Sequence, residues 1–376
     1  MVAAASPAEV ARGLAGRAAR APGGLENSGG EPPPRITHGG WFTLAVTAEC
    51  PLSRTSLLRS LALLGSAGLA CAHPGGSAKT GDGAGGAGPV ELKFAWPDGF
   101  QSHVLIAHEA RRSGAEPTGL IARQRMVAEK QGSEVRVSTR DVAARGNEPD
   151  LESIVKINEA LVQVVAPDGR FRRAEGLDQA LAAIKTATPE EREKARQALI
   201  RSTAFDWELM VGAWAGEQLA PDQPKRKQLQ GYVPHIVAVE ALLEVEYGLE
   251  GRVPCTEQET ERRCVQLSYR ASLAPGDRPA TLDRLRRITT SEAAKATPED
   301  VHADIELLLV TEPETLIPHR MTQRERLRLR LRLAEGRVVE TEDRSEDTYL
   351  FSDRELSAPE PERKPESKPE GRSGDL

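Results

Sequence analysis

The chain has 376 residues, 39% hydrophobic, 28% charged and only 4% aromatic, with 33 Gly and 26 Pro. That is ample apolar material for a core, and the length allows two domains. Formal net charge is −6, and because residues 1–59 hold six Arg against four Glu the remainder from Ser60 carries −8. Such an acidic remainder excludes a nucleic-acid binder, whose affinity rests on Lys and Arg neutralising phosphates, and no stretch reaches the roughly 18 consecutive apolar residues of a bilayer-spanning helix.

The first fifty residues open with MVAAASPAEVARGLAGRAARAPGG, an Ala/Gly/Arg-rich, acid-poor composition of the kind seen in transit peptides. Residues 54–72 then carry the three parts of an export signal: Arg54 and Arg59, an apolar run from Leu61 to Leu69, and Ala70-Cys71-Ala72 as a small-x-small cleavage pattern. A signal belongs at the start of a chain. This position therefore points to translation beginning near Val46 or Leu52, with residues 1–53 disordered or not made. Gly68-Leu69-Ala70-Cys71 also resembles the box of a bacterial lipoprotein signal. That resemblance implies acylation of Cys71, whereas cleavage behind Ala72 would discard it. Residues 73–89 are Gly-rich and read as a flexible tether.

From Val90 the texture becomes alternation. Val90, Leu92, Phe94 and Trp96 interleave with Glu91, Lys93 and Ala95, the period of a half-buried strand. Pro97-Asp98-Gly99 is a turn, and Phe100–Glu109 begins the next strand. Hairpins are expected between Leu120–Lys130 and Glu134–Arg140, and between Leu161–Ala166 and Arg170–Arg173. A helical insertion spans about 176–218, with Leu177, Leu181 and Ile184 at helical spacing. Thr188-Pro189-Glu190-Glu191 supplies an N-cap, a proline in the first turn and a capping-box glutamate. That helix is expected to end near Ile200, with a short one carrying Phe205, Leu209 and Trp214 after it. Residues 220–234 read as a loop. Longer strands follow, marked by Val239 to Tyr247, Val265 to Leu273 and Ile305 to Leu309. Residues 353–376 read as a disordered charged tail, with five acids and four bases from Ser357 onward. The compact unit is thus 90–352. The class is α+β, mainly antiparallel β: a curved sheet or half-open barrel with helices over one face.

The arginines of RERLRLRLRL, residues 324–333, share one strand face and could form an anion-binding wall. Ala334-Glu335-Gly336 suits a three-residue hairpin loop with Gly in the left-handed position. It would pair residues whose numbers sum to 670: Arg330 with Glu340, Arg328 with Glu342, Arg324 with Glu346 and Leu331 with Val339. Opposed charges on a sheet contribute about 0.2–1 kcal/mol each and would cancel the wall. His302, Asp304 and Glu306 alternate along another strand, with His302 and Asp304 as weak metal candidates. Their outer members lie about 13 Å apart along a strand, too far to converge easily. Cys255 and Cys264 flank an eight-residue loop, TEQETERR, and read as a structural disulfide of an exported protein. No nucleophile elbow, P-loop, dinucleotide fingerprint or paired-histidine zinc motif occurs, so no catalytic residue and no cofactor is expected.

The stretch VTEPETLIPHRMTQRERLRLRL, with Glu314, Thr315 and Pro318, resembles the acid-x-Thr-x-x-Pro turn of exported bacterial envelope proteins of the lipoprotein-carrier type. The chain is also similar to secreted bacterial proteins of unknown function. The resemblance implies an open half-barrel with helices over its mouth. The expected function is a non-enzymatic envelope protein, in the periplasm or outer envelope, that binds a lipid or other apolar ligand or a partner protein. It would touch the membrane only through a lipid anchor, and its oligomeric state is open. A cavity under the helices lined by Val239, Leu243, Leu267 and Leu307 would favour this reading. A ligand-distance cluster of acids and histidines near His302 and Asp304 would favour a metal-dependent or hydrolytic enzyme. A structural interaction module with a solid core is the third alternative.

Overall fold

The computed structural model describes residues 88–148, 150–184, 188–289 and 296–356. The export segment, Cys71, most of the tether and nearly all of the charged tail lie outside them. Eleven antiparallel strands form one curved, unclosed sheet. In chain order the first half contributes β2 (Phe100–Arg111), β3 (Thr118–Gln131), β4 (Glu134–Gly146), β5 (Val162–Val165) and β6 (Phe171–Glu175). The second half contributes β8 (Lys225–Val233), β9 (Ile236–Val253), β10 (Cys264–Leu273), β11 (Ala296–Thr311), β12 (Pro318–Leu333) and β13 (Val338–Ser352). The spatial order is β6-β5-β4-β3-β2-β13-β12-β11-β10-β9-β8. The chain walks outward to one edge, crosses by helices to the other, and walks back until β13 pairs with β2. A two-stranded clip of β1 (Val90–Glu91) and β7 (Gln218–Leu219) stands apart.

Among the described residues four α-helices accompany the sheet: α1 (Leu151–Ala160), α2 (Leu177–Ala182), α3 (Pro189–Trp207) and α4 (Arg278–Thr289). The capping box forms as expected: Thr188 Oγ1 accepts from the Glu191 amide at 3.1 Å, and Glu191 accepts from the Thr188 amide at 3.1 Å. The two helices expected after Thr188 are one. α3 runs unbroken to Trp207 and continues as a π turn, Glu208–Gly212, in which the Ala213 amide reaches back to the Glu208 carbonyl at 2.8 Å.

Trp207 and Trp214 explain this extension, because each anchors the crossover in the sheet's apolar face. Trp207 stacks edge-on against Trp96 and Phe94 and donates to the Gly169 carbonyl at 2.7 Å. A Cβ at Gly169 would sit 2.9 Å from both Phe94 and Ala215, so only glycine admits this approach. Trp214 packs edge-on against Tyr247 and Tyr269. A separate small core, with Ile157, Leu181 and Leu199, joins α1, α2 and α3.

The β12–β13 hairpin has the expected register throughout: Arg324↔Glu346, Arg328↔Glu342, Arg330↔Glu340 and Leu331↔Val339. Gly336 holds φ 85° in the loop, where a left-handed residue is required. Two expectations are corrected. Only Val90–Glu91 of the first alternating run is laddered. Leu92, Lys93 and Ala95 instead donate to the carbonyls of Glu217, Pro313 and Thr315, so burial alternates without a strand partner. The 220–234 loop contains β8, an edge strand whose Lys and Gln residues suit its solvent-facing position. The helices α1 and α4 lie in stretches to which the sequence pattern assigns no element.

Candidate functional site

The sheet's inner face carries two unlike halves. Under β8 to β11 it is solid: Val239, Leu243, Leu267 and Leu307 are all 0–1% exposed. They sit within continuous apolar packing and do not line the cleft beneath the helices, the place the sequence reading proposed for a cavity. The space lies on the other side of β12. A cleft of about 110 Å³ opens between β2–β5, β12 and β13 on one side and α1, α3 and the π turn on the other.

Its apolar lining has a compositional signature. Met126 enters from β3, Met321 from β12 and Met210 from the π turn. The chain contains four methionines including Met1, so all three internal ones converge here. Tyr349 and Phe351, stacked at 5.9 Å and 14°, add an aromatic wall from β13. Methionine is unbranched and polarizable, and it lets a lining reshape around different occupants.

Half of the lining side chains carry polar groups, Gln124, Thr139, Asn158, Gln163, Thr203 and Asp206 among them. Thr203 and Asn158 turn their donors onto their own helices, at 2.7 Å to the Leu199 carbonyl and 2.9 Å to the Ile154 carbonyl. The Gln124 Oε1 is buried with no hydrogen-bond partner among the described residues. Asp206 points from α3 into the cleft, and burial, with the Glu325 charge added, raises its carboxyl well above the usual carboxylate range. Burial thus favours its uncharged form, which can donate an O–H. The cleft thus presents a deformable mixed surface, methionine and aromatic side chains beside the polar groups of Gln124, Thr139, Gln163 and Asp206, with the Gln124 oxygen unmet.

Behind it lies a fully buried pair, His108 on β2 and Asp347 on β13, whose Nδ1 and Oδ1 are 2.8 Å apart. Strand pairing sets them directly opposite each other. Burial pushes His108 down to about 3, helped by Arg112. Burial also raises Asp347, with Glu325, Glu346, Asp206 and Glu148 acting in the same direction. His108 is therefore neutral at neutral pH, and burial disfavours the charged form of Asp347 as well.

The opposite face of the sheet is charged and forms an open trough of about 1390 Å³. The register aligns Arg226, Glu246, Arg270, Glu306, Arg324, Glu346 and Glu109 in one row across seven strands. The sign alternates as far as Glu346, and opposite charges side by side satisfy one another. Arg226 meets Glu246 at 2.6 Å, and Arg324 meets Glu346 at 2.9 Å. Farther along β12, Arg326 binds Glu342, while Arg330 and Arg332 turn to Glu299 on β11 at 3.6 and 2.5 Å. The arginine run is neutralised, though partly by diagonal partners and not by those directly opposite.

His302, Asp304 and Glu306 lie on this charged face, each paired with an arginine: Arg328, Arg326 and Arg324. His302 Nε2 contacts Asp300 at 3.1 Å. The three do not assemble a set of ligand atoms among the described residues. Cys255 and Cys264 are bonded, with Cα atoms 5.0 Å apart. At the β11–β12 turn the acid that holds Thr315 is Glu312, which accepts from its hydroxyl at 2.8 Å, while Glu314 is exposed.

Sequence reasoning missed the cleft residues because three methionines spaced across some 200 positions form no motif. Their scarcity was the available signal. No protein-family model and no curated protein matches the chain. One solved structure, described as "Lipid-protein interactions in lipovitellin", is similar over 69% of this chain and 25% of that chain. It has 11% identity and a TM-score of 0.36, so this chain spans about a quarter of that protein's length and the likeness is too slight to carry an argument.

Proposed function

We propose that the protein is an exported, non-enzymatic cell-envelope protein that holds an apolar ligand between its sheet and its helical cover. The convergence of Met126, Met210 and Met321 on the cleft carries this reading. The cleft volume of about 110 Å³ is smaller than the roughly 300 Å³ at which ligand pockets begin, so binding would require α3 and the π turn to yield. Asp206, whose uncharged form burial favours, and the unmet Gln124 acceptor would address a polar end. Export and an acyl anchor at Cys71 are read from residues 54–72, and the Cys255–Cys264 bond is consistent with an oxidising compartment.

A dansyl-labelled medium-chain fatty acid titrated into the full chain tests the reading. Saturable emission enhancement at one probe per chain is expected, weakened at least tenfold by Met321→Gln and unchanged by Leu267→Val in the solid half. No saturation, or equal weakening by both variants, would refute it.

A further inference from the structure

Cys255, Cys264 and His319 form a group whose ligand atoms all lie within 4.8 Å of one another. The sheet brings them to one end. Cys264 opens β10, the next residue Val265 pairs with Thr311, and Thr311 pairs with Pro318, the neighbour of His319. Both cysteines are buried against Val310, and the His319 side chain is 18% exposed. His319 Nε2 contacts Glu312 Oε1 at 3.2 Å, and Glu312 is itself fixed by the Thr315 hydroxyl.

We propose that reduction of the disulfide converts this corner into a zinc site with Cys255, Cys264 and His319 as protein ligands. A dithiol supplies two electrons and two protons, so the S–S bond becomes two thiols while the dithiol leaves as its cyclic disulfide. Zinc then displaces both thiol protons to solvent and binds two thiolates and one imidazole nitrogen, with water in the fourth position. A tetrahedral zinc holds such ligands about 3.5–3.8 Å apart, a separation within the 4.8 Å that already contains all three. Two thiolates cancel the dication, so the buried corner acquires no net charge. Soft sulfur ligands with imidazole favour zinc over magnesium or calcium. Glu312 takes the second position of a carboxylate–histidine–metal arrangement, orienting the ring. The loop 254–263 is thus fastened by a covalent bond in an oxidising compartment and by a metal in a reducing one.

The test uses the full chain with Cys50→Ser and Cys71→Ser, which leaves only this cysteine pair. The chain is reduced with a phosphine, desalted without oxygen and titrated with Zn²⁺ against a chromophoric chelator. The reduced chain is expected to bind one equivalent at least a hundredfold more tightly than the oxidised chain. His319→Ala should weaken this at least tenfold, and Glu312→Gln about tenfold, the low end for such outer partners. Because His319→Ala could loosen the turn, Co²⁺ added to the unsubstituted reduced pair gives a second reading through thiolate-to-cobalt absorption. Equal zinc affinity in the oxidised chain, unchanged affinity in His319→Ala, or no thiolate–cobalt band would overturn the proposal.

Discussion

The two halves of the inner face are built from the same kind of alternating strand, yet one is filled and the other is hollow. Over β8 to β11 the crossover delivers Trp214, which is fully buried against Tyr247 and Tyr269. Over β2 to β5 the same crossover offers the narrow side chains of α3, among them Thr203 and Asp206, and Met210 from the π turn. Trp214 closes the first half; in the second, the Trp207 ring goes to Phe94, Trp96 and the Gly169 turn, and Thr203, Asp206 and Met210 leave the cleft open. The lesson is that cavity position here is set by the cover, since strand periodicity is equal on both sides.

Substitutions that exchange these qualities should break the comparison, and they differ in size. Trp214→Ala should cost about 3–5 kcal/mol in urea unfolding, because a large ring leaves a space its rigid neighbours cannot close. A loss under about 1 kcal/mol would mean that the filled half is not tightly packed. Replacing Cys255 and Cys264 by alanine removes a short covalent loop at the end of that same half. It should cost about 2–3 kcal/mol by calorimetry, and no loss would remove the bridge from the stability account.

The hollow half should respond to pH through its buried acid. Asp206 has a raised folded value, so its contribution to stability is complete below about pH 4 and drains away as pH rises through that raised value. Asp206→Asn should therefore be more stable than the parent at pH 8, by on the order of 1 kcal/mol, and equal to it at pH 3. A variant less stable at pH 8 would mean that the carboxylate is charged and satisfied. His108 has the opposite sign. Its value near 3 gives stability present above about pH 6.5 that is lost as pH falls, and imidazole NMR shifts should stay neutral until about pH 3. The smallest effect is expected at the cleft lining itself. Met321→Leu conserves volume and should change stability by less than about 1.5 kcal/mol, against the large cost of Trp214→Ala.

Much of this architecture is legible in the residues. Strong local chemistry fixed what was read correctly: Gly336 selects its loop and thereby the whole β12–β13 register, and Thr188 with Glu191 selects a helix start. The close Cys255–Cys264 pair declares its bond in the same way. Elements held by tertiary partners were not readable. Edge strand β8 buries little and reads as loop. Helix α4 turns only Thr281 and Leu285 fully inward among its described side chains, which is too sparse a stripe to show periodicity. The His108–Asp347 contact joins residues 239 apart, and nothing local to either signals it. The cleft is the extreme case, since it is defined by what the crossover fails to fill.

The central claim, that an apolar ligand occupies the hollow half, is tested most directly by methyl NMR of methionine-labelled protein. With four methionines in the chain, the spectrum is assignable by three single substitutions. Titrating decanoic acid should shift the Met126, Met210 and Met321 methyl signals together along one saturation curve while Met1 stays still. Internal signals that do not move, or that move without a common saturation point, would contradict the account.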